Sequence, residues 1–294
     1  MIVHFAGLGS MGLGMACTLA RAGHTVHGTD LSPGQVDELR AAGGHALTAA
    51  SDHADALVCV VLNADQTRSV LFGDDGLARR LRPGGVILSC ATVTPAFAIE
   101  MEAQAAKAEH LYLDAPISGG AAKAANGKLS IMASGTAAAF DAAQPLLDAM
   151  AETVHKLGER AGPGSAMKAV NQLLAGTHIA AMAEALAFAA SQNLDLARTV
   201  EVISASAGTS WMFENRAPHV IEADYAPRSS IDIWPKDLGI VQGIAEDAGL
   251  LLPVATAALA QFRAASAAGL GKEDDAALTK HIAGQSGIAL PEKK

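Results

Sequence analysis

Through the first 160 residues, apolar runs of six or seven residues alternate with stretches whose apolar positions recur every three or four. The runs, which predict strands, are 2–7 (IVHFAG), 25–30 (TVHGTD), 56–62 (ALVCVVL), 85–90 (GVILSC), 111–116 (LYLDAP), 129–134 (LSIMAS) and 152–158 (ETVHKLG). The stretches between them predict helices at 11–22, 33–42, 64–72, 94–109 and 136–149. Strand–helix alternation of this kind implies a mostly parallel, doubly wound α/β sheet covered on both faces. After GERAGPG (158–164) the pattern changes. A long apolar helix runs from about Ser165 to Gln192, with further helices over 195–205, 231–248, 253–268 and 274–284 and no strand candidates. The boundary is therefore expected at Gly162: an α/β domain over 1–162 and an all-helical domain over 163–294, joined by the long helix.

Composition narrows the partners. Half of the residues are apolar but only 4% are aromatic, which favours close-packed helices with small contact residues. A formal charge of −9 argues against nucleic acid, whose phosphates require an excess of Lys and Arg. A small anionic substrate needs only a local cationic site. Cys17, Cys59 and Cys90 are scattered and form no CxxC or Cys/His cluster, so neither a metal nor a disulfide framework is expected. The N-terminus runs straight into a strand without a leader pattern, and the apolar segment 169–190 contains Asn171, Gln172, His178 and Glu184. A buried core helix fits that segment better than a membrane span, and a cytoplasmic location is expected.

The first strand ends in GLGSMG, residues Gly7, Leu8, Gly9, Ser10, Met11 and Gly12. In G-x-G-x-x-G spacing, the glycines serve a tight turn, close approach of backbone to a pyrophosphate, and helix–strand packing. The following helix start offers N–H groups and partial positive charge to phosphates. Asp30 closes the second strand 18 positions after Gly12, near the spacing of a ribose-binding carboxylate. It should accept hydrogen bonds from ribose hydroxyls and repel a 2′-phosphate. Leu31, Ser32 and Pro33 follow, with no Arg or Lys to hold that phosphate, so NAD is expected to be preferred over NADP.

The second chemical signal is a lysine in an apolar run, MKAVNQLLAG (167–176). Lys168 and Asn171 share a helix face at i and i+3, with His178 further along as a core histidine. A helix starting at a domain junction presents its first turns where ligand sites concentrate. Burial favours a neutral amine, which can take the hydroxyl proton as an alcohol is oxidised, and Asn171 can hold the substrate in register.

With GLGSMG, DAPISGG (114–120), GSAMKAVNQ (164–172) and KDLG (236–239) in this order, the chain resembles the β-hydroxyacid dehydrogenases, the 3-hydroxyisobutyrate dehydrogenase-like family, over almost its whole length. The resemblance implies a Rossmann domain joined by a long helix to a helical domain that carries the contacts of a homodimer or homotetramer. It implies a catalytic Lys168 with Asn171 as helper. It also implies a substrate carboxylate on Ser118, Gly119 and Gly120, and Lys236 near both cofactor and substrate. CATVTP resembles the family's loop that puts Thr92 against the nicotinamide, and Leu62 and Asn63 fall on the loop after the preceding strand that touches the cofactor. Lys123 is a further candidate for a carboxylate or distal hydroxyl. Within the family the motifs are most similar to a subgroup oxidising C2 of a four-carbon sugar acid. Pro235, before Lys236, departs from that subgroup's apolar residue. The alternatives are a 3-hydroxyacid dehydrogenase or tartronate semialdehyde reductase acting at C3, and a non-catalytic NAD-binding protein.

Overall fold

The computed structural model describes residues 1–51 and 53–293. They divide into two compact units that meet in sequence between Lys168 and Ala169.

The first unit is built on nine strands: β1 (Ile2–Ala6), β2 (Thr25–Thr29), β3 (His45–Ala46), β4 (Ala54–Cys59), β5 (Leu81–Ser89), β6 (Leu111–Asp114), β7 (Ile117–Ser118), β8 (Leu129–Gly135) and β9 (Ala151–Lys156). Its helices are α1 (Gly12–Arg21), α2 (Pro33–Ala41), α3 (Ala64–Phe72), α4 (Pro95–Lys107), α5 (Gly120–Ala125) and α6 (Ala137–Met150). The strand order is β3-β2-β1-β4-β5-β6-β8-β7, with β9 beside β8. The strands from β3 to β6 are all parallel. β8 runs antiparallel to both β6 and β7 and parallel to β9. Expectation and structure agree on a doubly wound, mostly parallel sheet. β3 and β7, at two residues each, are too short to show an alternation, and the six-residue α5 too short to show a helical period.

Successive side chains on a strand point to opposite faces. Ala56, Val58, Val86 and Leu88 join Val3 and Phe5 in a core against Met15 and Leu19 of α1 and Leu146 and Leu147 of α6. The intervening Leu57, Cys59 and Ile87 join Leu71 of α3 and Phe97 and Met101 of α4 on the other face. Burial on both faces is why these strands read as unbroken apolar runs. The order reverses between β1 and β4, and parallel α/β sheets place ligands beyond the strand ends at such a point.

The long helix α7 (Pro163–Ser191) begins in the first unit and continues into the second, followed by α8 (Leu196–Ser204), α9 (Trp211–Ile221), α10 (Ile233–Asp247), α11 (Pro253–Ala265) and α12 (Leu278–Gln285). Ile179, Met182, Ala183 and Leu186 of α7 pack with Phe213, Trp234, Leu238 and Phe262. By length and composition α7 could cross a membrane. One face of α7 is buried in this core, while Met167, Val170, Leu174 and Phe188 are exposed. α9 has no counterpart in the sequence reading, because Pro218 interrupts the pattern of an otherwise ordinary helix capped by Ser210, whose Oγ accepts from Phe213 N at 3.0 Å. The division after Lys168 lies beyond the expected boundary at Gly162, since side chains of the sheet hold the first turn of α7.

Candidate active site

The glycine loop is shaped by backbone crowding. Gly7 has φ +90°, and a Cβ there would lie 2.2 Å from the Val60 carbonyl oxygen. A Cβ on Gly12 would lie 2.0 Å from the Gly7 oxygen. At Gly9 a Cβ would meet nothing within 4 Å, so the loop's outer side is open there. Gly9 and Ser10 are exposed, Met11 is half-buried, and the first turn of α1 carries no acidic residue to compete with an anion. Leu8 turns its side chain fully into the core. Its N–H donates to Asp30 Oδ2 at 2.6 Å, while Ser32 N donates to Asp30 Oδ1 at 2.8 Å. A tight turn, an uncovered glycine, a helix start and a carboxylate fixed beside it fit the diphosphate and ribose of an NAD(P) group.

Two more expected cofactor residues have structural duties. Asn63 caps α3, its Oδ1 accepting from Gln66 N at 2.9 Å, and Gln66 Oε1 accepts from Leu62 N at 2.9 Å. The Leu62 side chain is half exposed. Thr92 is half-buried in the turn before α4, whose cap is Thr94.

The DAPISGG segment grips the start of α7 at two points. Asp114, at the end of β6 and buried, accepts from Gly162 N (3.0 Å), Ser165 N (2.9 Å) and Ser134 Oγ (3.3 Å) on Oδ2, and from Ser165 Oγ (2.7 Å) on Oδ1. Ser134 Oγ in turn accepts from Gly164 N at 2.9 Å. Pro163 has no N–H, so these bonds satisfy the opening donors of the helix. Gly164 is required, because a Cβ there would lie 2.5 Å from the Met132 oxygen and 2.8 Å from the Asp114 oxygen. Burial pushes the Asp114 carboxyl above its ordinary range, and the hydrogen bonds from Ser165, Gly162 and Ser134 pull against that shift.

One turn beyond Ser165, Lys168 is buried, at 8% exposure, and its Nζ donates to the Ile117 carbonyl at 2.8 Å. The lysine thus lies beside Ser118, and Gly119 and Gly120 follow with φ +136° and +78°. The first unit therefore unites Lys168 with the SGG turn. Lys123 has its stem over Gly119 and its Nζ 3.3 Å from Glu152 Oε2, with both side chains well exposed.

In the second unit, four polar residues form a chain. Asn171 Nδ2 donates to Gln172 Oε1 at 2.9 Å, and Gln172 Nε2 donates to Asp237 Oδ2 at 2.5 Å. Lys236 Nζ lies 2.7 Å from Asp237 Oδ1. Asn171 and Lys236 are therefore linked through Gln172 and Asp237, both buried. Pro235 sits in the first turn of α10, where a missing N–H costs nothing. Trp234 beside it is core, stacked on Phe262 at 5.5 Å with Nε1 donating to Asp275 at 3.0 Å. His178 is half-buried on α7. Sequence reasoning missed Asp114, Ser165 and Gln172. The available signal was a carboxylate and a serine inside two motifs already noted for other reasons.

Comparison with known proteins shows the family. Residues 2–158 match the NAD-binding domain family of 6-phosphogluconate dehydrogenase, and residues 162–282 match the NAD-binding family of NADP-dependent 3-hydroxyisobutyrate dehydrogenase. The chain is 46% identical over 292 residues to L-threonate dehydrogenase of Pectobacterium atrosepticum, covering 98% of this chain and 95% of that one. It is 45% identical to L-threonate dehydrogenase of Escherichia coli K12, covering 99% and 97%. A crystal structure of 3-hydroxyisobutyrate dehydrogenase from Salmonella typhimurium superposes with a TM-score of 0.90 at 46% identity, covering 96% of this chain and 99% of that one. The glycine loop, the lysine beside its SGG turn and these matches together place the chain in the β-hydroxyacid dehydrogenase family, the 3-hydroxyisobutyrate dehydrogenase-like NAD(P)-dependent oxidoreductases.

Proposed function

We propose that the protein oxidises L-threonate at C2 to the 2-oxo acid, with NAD preferred over NADP. The carrying observation is the buried Lys168 Nζ, held 2.8 Å from the carbonyl of Ile117, the residue that precedes Ser118. Bound NAD supplies the acceptor for the C2 hydride. Lys168, as the neutral amine, takes the hydroxyl proton onto Nζ, and in the reverse direction its ammonium returns that proton to the developing alkoxide. Ser118, Gly119 and Gly120 hold the carboxylate, with Lys123 at its margin. Asn171 and Lys236 are substrate-binding residues, and Lys236 also serves the cofactor together with Gly7–Gly12, Leu62, Asn63 and Thr92. Asp30 supports the preference for NAD, because a fixed carboxylate accepts ribose hydroxyls and repels a 2′-phosphate. The four-carbon substrate rests on the relatives that carry that name.

A second reading is oxidation of a 3-hydroxyacid at C3, favoured by the name of the Salmonella structure. Initial rates with threonate, 3-hydroxyisobutyrate and glycerate separate the two. Turnover of threonate alone supports the first, and turnover of 3-hydroxyisobutyrate alone supports the second. NAD binding without turnover of any hydroxy acid would leave a non-catalytic NAD-binding protein. Exposed Phe188, Leu194 and Trp211 support self-association into a homodimer or homotetramer. Three free thiols support a reducing, cytoplasmic setting.

A further inference from the structure

We infer that Asp114 is a positioning residue for the reaction: it clamps the opening turn of α7 to the end of β6 and thereby sets where Lys168 Nζ lies relative to the SGG turn. The inference rests on the reading of Lys168 as the general base. Asp114 and Ile117 belong to one short segment, and Ser165 and Lys168 to one helical turn. The segment holds the helix twice, through Asp114 on Ser165 and Gly162 and through the Ile117 carbonyl on Lys168. Two attachments one turn apart fix both the height and the rotation of the helix start. A single attachment at Lys168 would leave the lysine to follow any shift of its own backbone.

The clamp is closed on every side. Gly164 leaves no room for a Cβ between helix and strands, and Ser134 bonds both Gly164 N and Asp114. All these partners are buried. Such a cap, supplied by strands 30 to 51 residues away in sequence, ties the base to the sheet that carries the glycine loop. A displacement of about 1 Å in a reacting group can cost about a hundredfold in rate.

The test uses the full-length protein with NAD and threonate carrying hydrogen or deuterium at C2. Asp114→Ala should lower kcat about a hundredfold and raise the deuterium isotope effect on kcat, with the Kd for NADH unchanged. Asp114→Asn should recover part of the loss, because its amide oxygen can still accept the donors on the Oδ2 side. A merely structural role lowers the folded fraction and kcat together and leaves the isotope effect where it was. That result, or an unchanged kcat in folded Asp114→Ala, would overturn the inference. Should Asp114→Ala fail to fold, Ser165→Ala removes one bond of the clamp. It should lower kcat severalfold with the same rise in isotope effect, and parent values for both in the folded variant overturn the clamp. Lys168→Ala, assayed alongside, separates the two claims. If it turns over normally, the base reading falls and the clamp with it. If it is inactive while Asp114→Ala behaves as the parent, only the clamp falls.

Discussion

The backbone N–H of Leu8 donates to Asp30 Oδ2 at 2.6 Å, joining the glycine loop to the end of β2. The carboxylate therefore shapes the loop, and in the proposed reading it also faces the adenosine ribose. Leu31 next to it is almost fully exposed. Replacing both, as Asp30→Ser with Leu31→Arg, removes a repelling charge and adds a guanidinium suited to a phosphate. The ratio of kcat/KM for NADP over NAD should rise by roughly 10- to 100-fold, the size of one or two charge-assisted hydrogen bonds. NAD affinity should also fall, because Leu8 N–H loses its acceptor. An unchanged ratio would show that Asp30 does not read the ribose.

Lys168→Ala should lower kcat by about 10²- to 10⁴-fold, the usual contribution of a general acid/base, while NADH binding followed by fluorescence persists. Lys168→Arg should be nearly as poor. A guanidinium stays protonated and cannot accept the hydroxyl proton. Full activity in Lys168→Arg would mean that charge alone suffices there.

Gly164→Ala should destabilise the first unit by about 1–3 kcal/mol, the usual cost of overpacking. Its Cβ would press on the carbonyl oxygens of Met132 and Asp114, which are backbone atoms and yield little. Gly9→Ala, where a Cβ meets nothing, should leave thermal stability near that of the parent and weaken NAD binding instead. Equal unfolding temperatures for both variants would contradict the crowding at Gly164.

A buried charge cluster supports the second unit. His219 Nδ1 lies 2.9 Å from Asp274 Oδ1, and Arg228 N and Ala276 N donate to the same carboxylate. Burial alone would raise the Asp274 carboxyl, but these hydrogen bonds outweigh it and hold the group below its ordinary value. A carboxyl lowered on folding stabilises the native state above its unfolded pKa, and that contribution is lost as pH falls through the folded value. His219→Ala should therefore cost roughly 1.5–3 kcal/mol in urea unfolding at neutral pH, and the difference from the parent should shrink in acid. A gap of constant size across that range would rule out the carboxylate as its source.

The sheet and the glycine loop were legible because each rests on local necessity. Both-face burial writes β1, β4 and β5 as apolar runs, and Gly7 and Gly12 stand where any Cβ would strike backbone. Lys168 was legible as a charge among apolar neighbours. Asp114 was not, because its partners lie 48 to 51 residues away and nothing local distinguishes a helix cap supplied by another strand. Gln172 was hidden in the same way: its meaning depends on Asp237, 65 residues on. Lys123 shows the converse, a cation whose Glu152 partner only the folding of β9 against β8 brings near.

The amide chain from Asn171 to Asp237 has a polarity that one charge sets. An ionised carboxylate only accepts, so Gln172 must present Nε2 to Asp237 and turn Oε1 toward Asn171. Asn171 must then give one Nδ2 hydrogen to Gln172, which leaves Oδ1 and the second Nδ2 hydrogen for other partners. In the proposed reading, Oδ1 is the atom that accepts from a substrate hydroxyl. Asp237→Asn relaxes this ordering, since an amide in its place can donate or accept, and it also loosens Lys236. KM for the hydroxy acid should rise about tenfold, the value of one hydrogen bond of ordinary strength, with a smaller change in kcat. Gln172→Glu sets two carboxylates against each other in a buried position and should lower the unfolding temperature at neutral pH, with recovery in mild acid as one of them protonates. If Asp237→Asn left KM untouched, Asn171 would not depend on the chain behind it, and its orientation would have to be set by the substrate.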